Sequence, residues 1–443
     1  MKVNNTYKNI WTISYPIILG SLATTVLNIT DTAFLARVGE VELGAMAIAG
    51  VFYFVLVMIG VAIGTGSQIL MSRRAGENNR EEIGKLFDHT FIILLGISTI
   101  MLLFVLFLSP AFFEMLLSSP NVLKACNDFM GIRGWGLLFT LTAIAFRSFF
   151  IGISYTRIIT YSAVIMMLVN IVLDYVLIFG HYGFPKMGIK GAALASVIAE
   201  LVSVLYLVIY SAIKNEIKHF NLFRFIDLKK ARFNAIFHLS SPVILQNTLS
   251  MSAWFLFFVI IERMGEHELA ISNIIRATYM VLMTPIWGYA SATNSMVSNL
   301  IGQGLETEVK GLVKKIIKMS LLTTLALFGV TFISPEWLLR ITTSDEILIA
   351  DSIGTYYIII AAMFLFSVSV ILLSAVSGSG NTKAAMVIEF INILIYMIYV
   401  YLCAVVLQST IEWVWFSEII YWILMGLLSL IYLNNRKWKH HEI

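Results

Sequence analysis

Long apolar runs separated by short polar ones make up almost the whole chain. A bilayer core about 30 Å thick needs roughly 20 apolar helical residues. By that measure the pattern predicts spans at 10–36, 45–71, 87–109, 126–151, 158–180, 191–213, 235–262, 271–297, 313–334, 350–376, 384–407 and 412–434. An even number of spans leaves both termini on one side. Of the 30 lysines and arginines, 21 fall on the side of the termini, counting Lys314, Lys315 and Lys318 at the inner end of the ninth span, six on the other and three deeper inside spans. Cytoplasmic loops carry the excess of positive charge, so the termini and the long loop between spans six and seven are expected in the cytoplasm.

Composition agrees with that picture. The chain is 59% hydrophobic and 13% charged, whereas a soluble domain carries roughly 25% charged residues. A dozen spans in 443 residues leave no room for a soluble enzyme domain. The net charge of +4 sits in short loops rather than on one patch, so it reads as a topology signal and not as a nucleic-acid surface. Cys126 and Cys403 are far apart and lack ligand spacing, which implies neither a disulfide framework nor a metal site. Lys2 and Lys8 precede the first apolar run without a small-residue cleavage site, so that run is expected to be a retained span.

Laid on itself at an offset of 226 residues, the chain repeats. Ser14-Tyr15-Pro16-Ile17-Ile18-Leu19 falls on Ser240-Ser241-Pro242-Val243-Ile244-Leu245, and Arg37-Val38-Gly39-Glu40 falls on Arg263-Met264-Gly265-Glu266. Around Ser109-Pro110 and Ser334-Pro335 the offset slips to 225. The expected organisation is a six-helix lobe at 1–213, a cytoplasmic linker at 214–232 and a second six-helix lobe at 233–443. The linker mixes basic residues with Phe220, Phe223, Phe225 and Ile226, which suits either a connecting segment or a helix in the headgroup region. Six spans per copy insert both copies in the same direction, the parallel-repeat plan of many secondary transporters.

Acidic groups inside spans are costly and mark functional sites by default. Asp31 lies six residues before Arg37 at the outer end of span one, and Asp174 six before Gly180 at the outer end of span five. Each is therefore about 9 Å inside the boundary. Ser196, on the oppositely directed span six, reaches the same depth, and Asn170 shares a helix face with Asp174. Two carboxylates, an amide and a hydroxyl at one level suit a hard cation or a shared proton. Two adjacent carboxylates in a low-dielectric cavity cannot both ionise cheaply without one or the other. At the repeat offset Asp31 faces Phe257, Asn170 faces Tyr396 and Asp174 faces Val400, so only the first copy carries the acids. Arg147 and Arg276 are expected to pair with acids or face the cavity, and Glu200, Glu389 and Glu418, which share no depth, to snorkel or bond between helices. Gly60, Gly64 and Gly66 are expected to allow close helix packing. No Walker lysine motif is present, which argues against an ATP-driven pump. His440-His441 reads as solvated tail, and Pro16, Pro242 and Pro285 as helix-bending points.

With two parallel six-span halves, mid-helix Pro16 and Pro242, Asp31 fifteen residues after Pro16, and Asn170-Ile171-Val172-Leu173-Asp174 in span five, the chain resembles the multidrug and toxic compound extrusion (MATE) family, in its DinF-like branch. The resemblance covers nearly the whole chain. It implies an all-α membrane protein with twelve transmembrane helices in two pseudo-symmetric bundles forming a V. It also implies export of organic, amphipathic or cationic compounds by alternating access, in antiport against Na⁺ or H⁺. By motif, Asp31, Asn170 and Asp174 would hold the coupling ion with Ser196 beside them, and Pro16 would bend helix one. The other major bacterial branch places an acid in mid-helix seven; here Glu262 lies at that span's outer end, so a cation site in the second lobe is not expected. No other cofactor and no covalent chemistry are expected. The partners are the small-molecule substrate and membrane lipids. The location implied is a bacterial inner membrane, and a monomer is expected because both halves lie in one chain. The nearest rival is a flippase for lipid or polysaccharide precursors. It would call for several basic groups in the cavity, whereas apart from the lysines at the inner end of the ninth span only Arg133, Arg147 and Arg276 lie at or within spans.

Overall fold

The computed structural model describes residues 2–331, 335–340, 342–435 and 438. The tail pair His440-His441, Ser334 of the repeat alignment and the last residues of the expected ninth span lie outside them. Its main helices are α1 (Tyr7–Ala36), α2 (Glu40–Gly76), α3 (Arg80–Phe107), α4 (Ser109–Leu116), α5 (Pro120–Arg133), α6 (Gly136–Gly152), α7 (Arg157–Phe179), α8 (Ile189–Ile213), α9 (Asn215–Lys218), α10 (Lys230–Glu262), α11 (Glu266–Gly302), α12 (Val309–Thr331), α13 (Pro335–Leu339), α14 (Glu346–Gly378), α15 (Thr382–Tyr401), α16 (Ile411–Trp415) and α17 (Ser417–Asn434). The fold is all-α. Ten helical segments among the described residues are long and apolar enough to cross a membrane, and the pair α5 and α6, bent by 49°, makes an eleventh. The twelfth expected span is α12, whose first half carries Lys310, Lys314, Lys315 and Lys318 and is too charged to qualify by composition.

Local chemistry sets the helix ends. Asn79 caps α3 by accepting from Glu82 N at 3.1 Å, and Asn381 caps α15 by accepting from Ala384 N at 3.0 Å. Gly180 ends α7 in the left-handed region at φ 78°, and a Cβ there would stand 2.8 Å from Lys186 N. The helix-two glycines serve close packing: a Cβ on Gly60 would meet Leu141 at 2.9 Å, and one on Gly64 would meet Ser148 Oγ at 2.8 Å, both on α6.

The chain forms two compact units, one of residues 19–240 and one of residues 2–18 with 241–443. This differs from the expected division at 213 and 233 at both places. The start of the chain packs into the second unit: Val3 N donates to Asn299 Oδ1 at 3.0 Å, Lys315 Nζ donates to Asn5 O at 2.6 Å, and Ile18 lies against Gly288. The linker and the start of α10 pack into the first, where Ser240 lies against Gly66. Hydropathy cannot reveal such exchanges, because they depend on tertiary packing. The two boundaries, 18/19 and 240/241, fall within two residues of Pro16 and Pro242. The helices α1, α10 and α11 each contain their proline inside one helical segment.

The linker is not a headgroup helix; before α10 begins at Lys230 its one helix is the four-residue α9. It is a strap bound to α3. Asn221, Phe223, Phe225 and Asp227 all have positive φ, and this alternation turns the amides of Phe223 and Phe225 onto the Asp88 carboxylate at 2.7 and 2.8 Å. Arg232 clamps Glu82 with two bonds of 2.7 and 3.0 Å. The half-buried Asp227 carboxyl is held below the usual carboxylate range by its hydrogen bond to Lys229 and by Arg232. A Cβ on Gly84 would run into the Phe220 carbonyl, a backbone atom. Gly84→Ala is therefore expected to lower thermal stability in detergent by about 1–3 kcal/mol through overpacking. Gly20→Ala, whose Cβ meets only ordinary 3.7 Å contacts, should melt close to wild type in the same assay.

Candidate functional site

Helix periodicity builds the site in the first unit. On α7, Asn170 and Asp174 are one turn apart and fully buried, while Val172 between them is 61% exposed on the opposite face. Asp31 on α1 and Ser196 on α8 are also buried. Asn170 Nδ2 makes a long 3.5 Å contact to Ser196 Oγ, and the Asp31 side chain approaches those of both Asp174 and Ser196. All four residues expected from the sequence therefore belong to one cluster on three helices.

The cluster is short of donors. Asp31 Oδ1, Asn170 Oδ1 and both carboxylate oxygens of Asp174 are buried without a hydrogen-bond partner. Two carboxyl groups can bond to each other only when a proton lies between them, and otherwise a cation must offset their repulsion. Buried polar groups are satisfied as a rule, so four unpartnered oxygens in one place fit a ligand that offers positive charge. Among the described residues, no group of three or more His, Cys, Asp or Glu is arranged for a metal. Two carboxylates and an amide oxygen suit a monovalent cation or a proton better than a transition metal.

A second layer was not foreseen. Arg133 at the end of α5 makes a two-pronged ion pair with Glu200 of α8, at 2.6 and 2.8 Å, with both side chains about seven-eighths buried. Its guanidinium lies 3.9 Å from the centre of the Tyr53 ring, and Tyr53 in turn bonds Thr140 at 3.0 Å. Both charges of the pair act on Asp31. Gly136 makes the room, since a Cβ there would stand 2.5 Å from Glu200 Oε2. The repeat held a signal for this layer, because Tyr53 faces Tyr279 at offset 226. Of the other charged residues considered, Arg276 lies over Phe258 at 5.1 Å instead of pairing with an acid, and Arg147 is exposed.

The second unit fills the corresponding place differently. Phe257 and Tyr396, the counterparts of Asp31 and Asn170, pack ring to ring at 5.8 Å. Glu418 accepts from Tyr279 at 2.9 Å, Trp422 at 3.0 Å and Tyr396 at 3.4 Å. Tyr279 and Trp422 are the counterparts of Tyr53 and Ser196. Aromatic rings and a satisfied carboxylate thus stand where the first unit keeps unpartnered oxygens.

Comparison with known proteins gives the same two-copy picture. The MatE family model matches residues 16–176 and 242–402, two segments offset by 226 residues that together exceed half of the chain. A relative from Thermotoga maritima, described as a probable multidrug resistance protein NorM, is 25% identical over 425 residues, 93% of this chain and 89% of that protein. Among solved structures, a variant of the Vibrio cholerae MATE transporter VcmN superposes with a TM-score of 0.90 at 17% identity, covering 98% of each chain. A MOP superfamily transporter from Pyrococcus furiosus, described as having a binding pocket of reversed polarity that suggests a different function, superposes at 0.89 and 17% identity, over 96% of this chain and 95% of that one.

Proposed function

Because this chain belongs to the MatE family of multi-pass membrane transporters, we propose that it exports organic, amphipathic or cationic compounds in antiport against Na⁺ or H⁺. The observation that carries the reading is the set of four unpartnered, buried oxygens of Asp31, Asn170 and Asp174. The coupling ion enters this cluster from outside, neutralises the two carboxylates and changes how α1 is held. Pro16 lies inside α1 and, by removing a backbone donor, supplies the hinge of this movement. Substrate is released outward as the ion occupies the site, and no covalent bond is made or broken. One inward positive charge supplies about 2.3 kcal/mol per 100 mV, enough for a roughly forty-fold solute gradient at tenfold per 1.4 kcal/mol. The termini lie in the cytoplasm of a bacterium whose inner membrane the protein spans, and it works as a monomer.

The test is substrate accumulation in inverted membrane vesicles under separate Na⁺ and pH gradients. The expected result is accumulation of a cationic dye under at least one gradient and its collapse when that gradient is dissipated. Lipid-precursor translocation with no dye accumulation under either gradient would favour the flippase reading. That reading has less support here, since Arg133 is already committed to Glu200.

A further inference from the structure

The second unit holds another buried carboxyl group, at a place the repeat alignment does not mark. Glu389 of α15 is 3% exposed, and Asn392, three residues on and on the same helix face, is fully buried. Glu389 Oε1 accepts from Ser250 Oγ on α10 and from the Tyr421 hydroxyl on α17, each at 2.5 Å. Glu389 Oε2 has no partner, and neither does the oxygen or the nitrogen of Asn392. Nearby Glu418, which takes three donors, shows what a structurally satisfied carboxylate looks like in this unit.

An ionised carboxylate with an unpartnered oxygen is costly in a low-dielectric interior unless a cation faces it. The side chains that act on Glu389 are Ser250 and Tyr421, and Tyr396 and Glu418 act on Tyr421 in turn; none of these is cationic. We propose that Glu389, held by Ser250 and Tyr421, binds and releases a proton in the second unit and serves as a further coupling group of the transporter. Two short contacts on Oε1 make that oxygen the acceptor. The proton therefore adds at Oε2, the oxygen without a partner. Only an O–H bond changes: the proton comes from water and returns to water. Ser250 and Tyr421 are only half-buried and link the enclosed carboxyl to more open surface. A proton suits the site better than a metal ion, because among the described residues of α15 Glu389 Oε2 and Asn392 Oδ1 are the only buried acceptors without a partner.

The proposal rests on the transporter reading but is tested apart from it. Infrared difference spectra of the purified protein across a pH titration should show a protonated-carboxyl C=O band that Glu389→Gln removes. The band should be removed in the wild-type background and equally in an Asp31→Asn/Asp174→Asn background, so the fate of the first-unit site does not decide the result. In vesicles, Glu389→Gln should lower pH-driven accumulation by about forty-fold per 100 mV of driving force, with Glu389→Asp restoring part of it. A spectrum unchanged by Glu389→Gln would overturn the assignment. Should that variant fail to fold, Tyr421→Phe keeps the carboxyl, removes one of the two donors on Oε1 and should shift the titration midpoint of the band; an unshifted midpoint would overturn it equally.

Discussion

Asp174→Asn, expressed at wild-type level, is expected to abolish ion-driven substrate accumulation, and Asp31→Asn to do the same. Each change keeps the size of the side chain and removes one of the two charges that a cation or proton would neutralise. The amide also brings its own donors to oxygens that now have none, so the cluster satisfies itself without an ion. Coupling of one charge is worth about forty-fold in accumulation ratio per 100 mV, and the variants should fall to a ratio near unity. Vesicle uptake under an imposed gradient, with expression checked by immunoblot, measures this. If the acids only held neighbouring helices together, the variants would lose folded protein and keep the ratio per folded molecule.

The second large effect is on stability. Removing Glu200 leaves the Arg133 charge buried without its partner, which costs about 3–5 kcal/mol. Glu200→Ala should therefore melt far below wild type in detergent, with much of the loss recovered when Arg133 is changed to Met in the same chain. The recovery distinguishes a stranded charge from a simple cavity, because the double variant removes more volume and yet should be more stable. Equal melting of Glu200→Ala and the double variant would mean that the charge is already solvated. The Tyr53 ring against the guanidinium argues for the stranded charge.

Much of this was legible in the sequence. Spans stand out because lipid demands long apolar runs, and the blurred case, α12, is the one with four lysines in its first half. The cluster of Asp31, Asn170, Asp174 and Ser196 could be found because helix rise converts sequence distance from a loop into depth. Arg133 and Glu200 could not be paired that way: α5 and α6 break and bend by 49° directly after Arg133, so depth cannot be counted through the break. The exchange of residues 2–18 into the second unit was equally hidden. It depends on contacts such as Val3 with Asn299, which no periodicity encodes. The comparison of the two copies pointed to the acids because it marks differences at aligned positions. It passed over Glu389, which faces Ala163 and draws its partners from helices α10 and α17.

The measurement that bears most directly on the central claim is ion exchange at the first-unit cluster itself. Purified protein in weakly buffered detergent is loaded with Na⁺, and the protons released are compared with those from Asp31→Asn/Asp174→Asn. If Na⁺ is the coupling ion and competes with the shared proton, the wild type releases protons that the double variant does not. If H⁺ alone couples, Na⁺ releases none, and lowering the pH protonates a carboxyl that is missing from the double variant. Identical Na⁺-induced release and identical protonation in the two proteins would contradict the account.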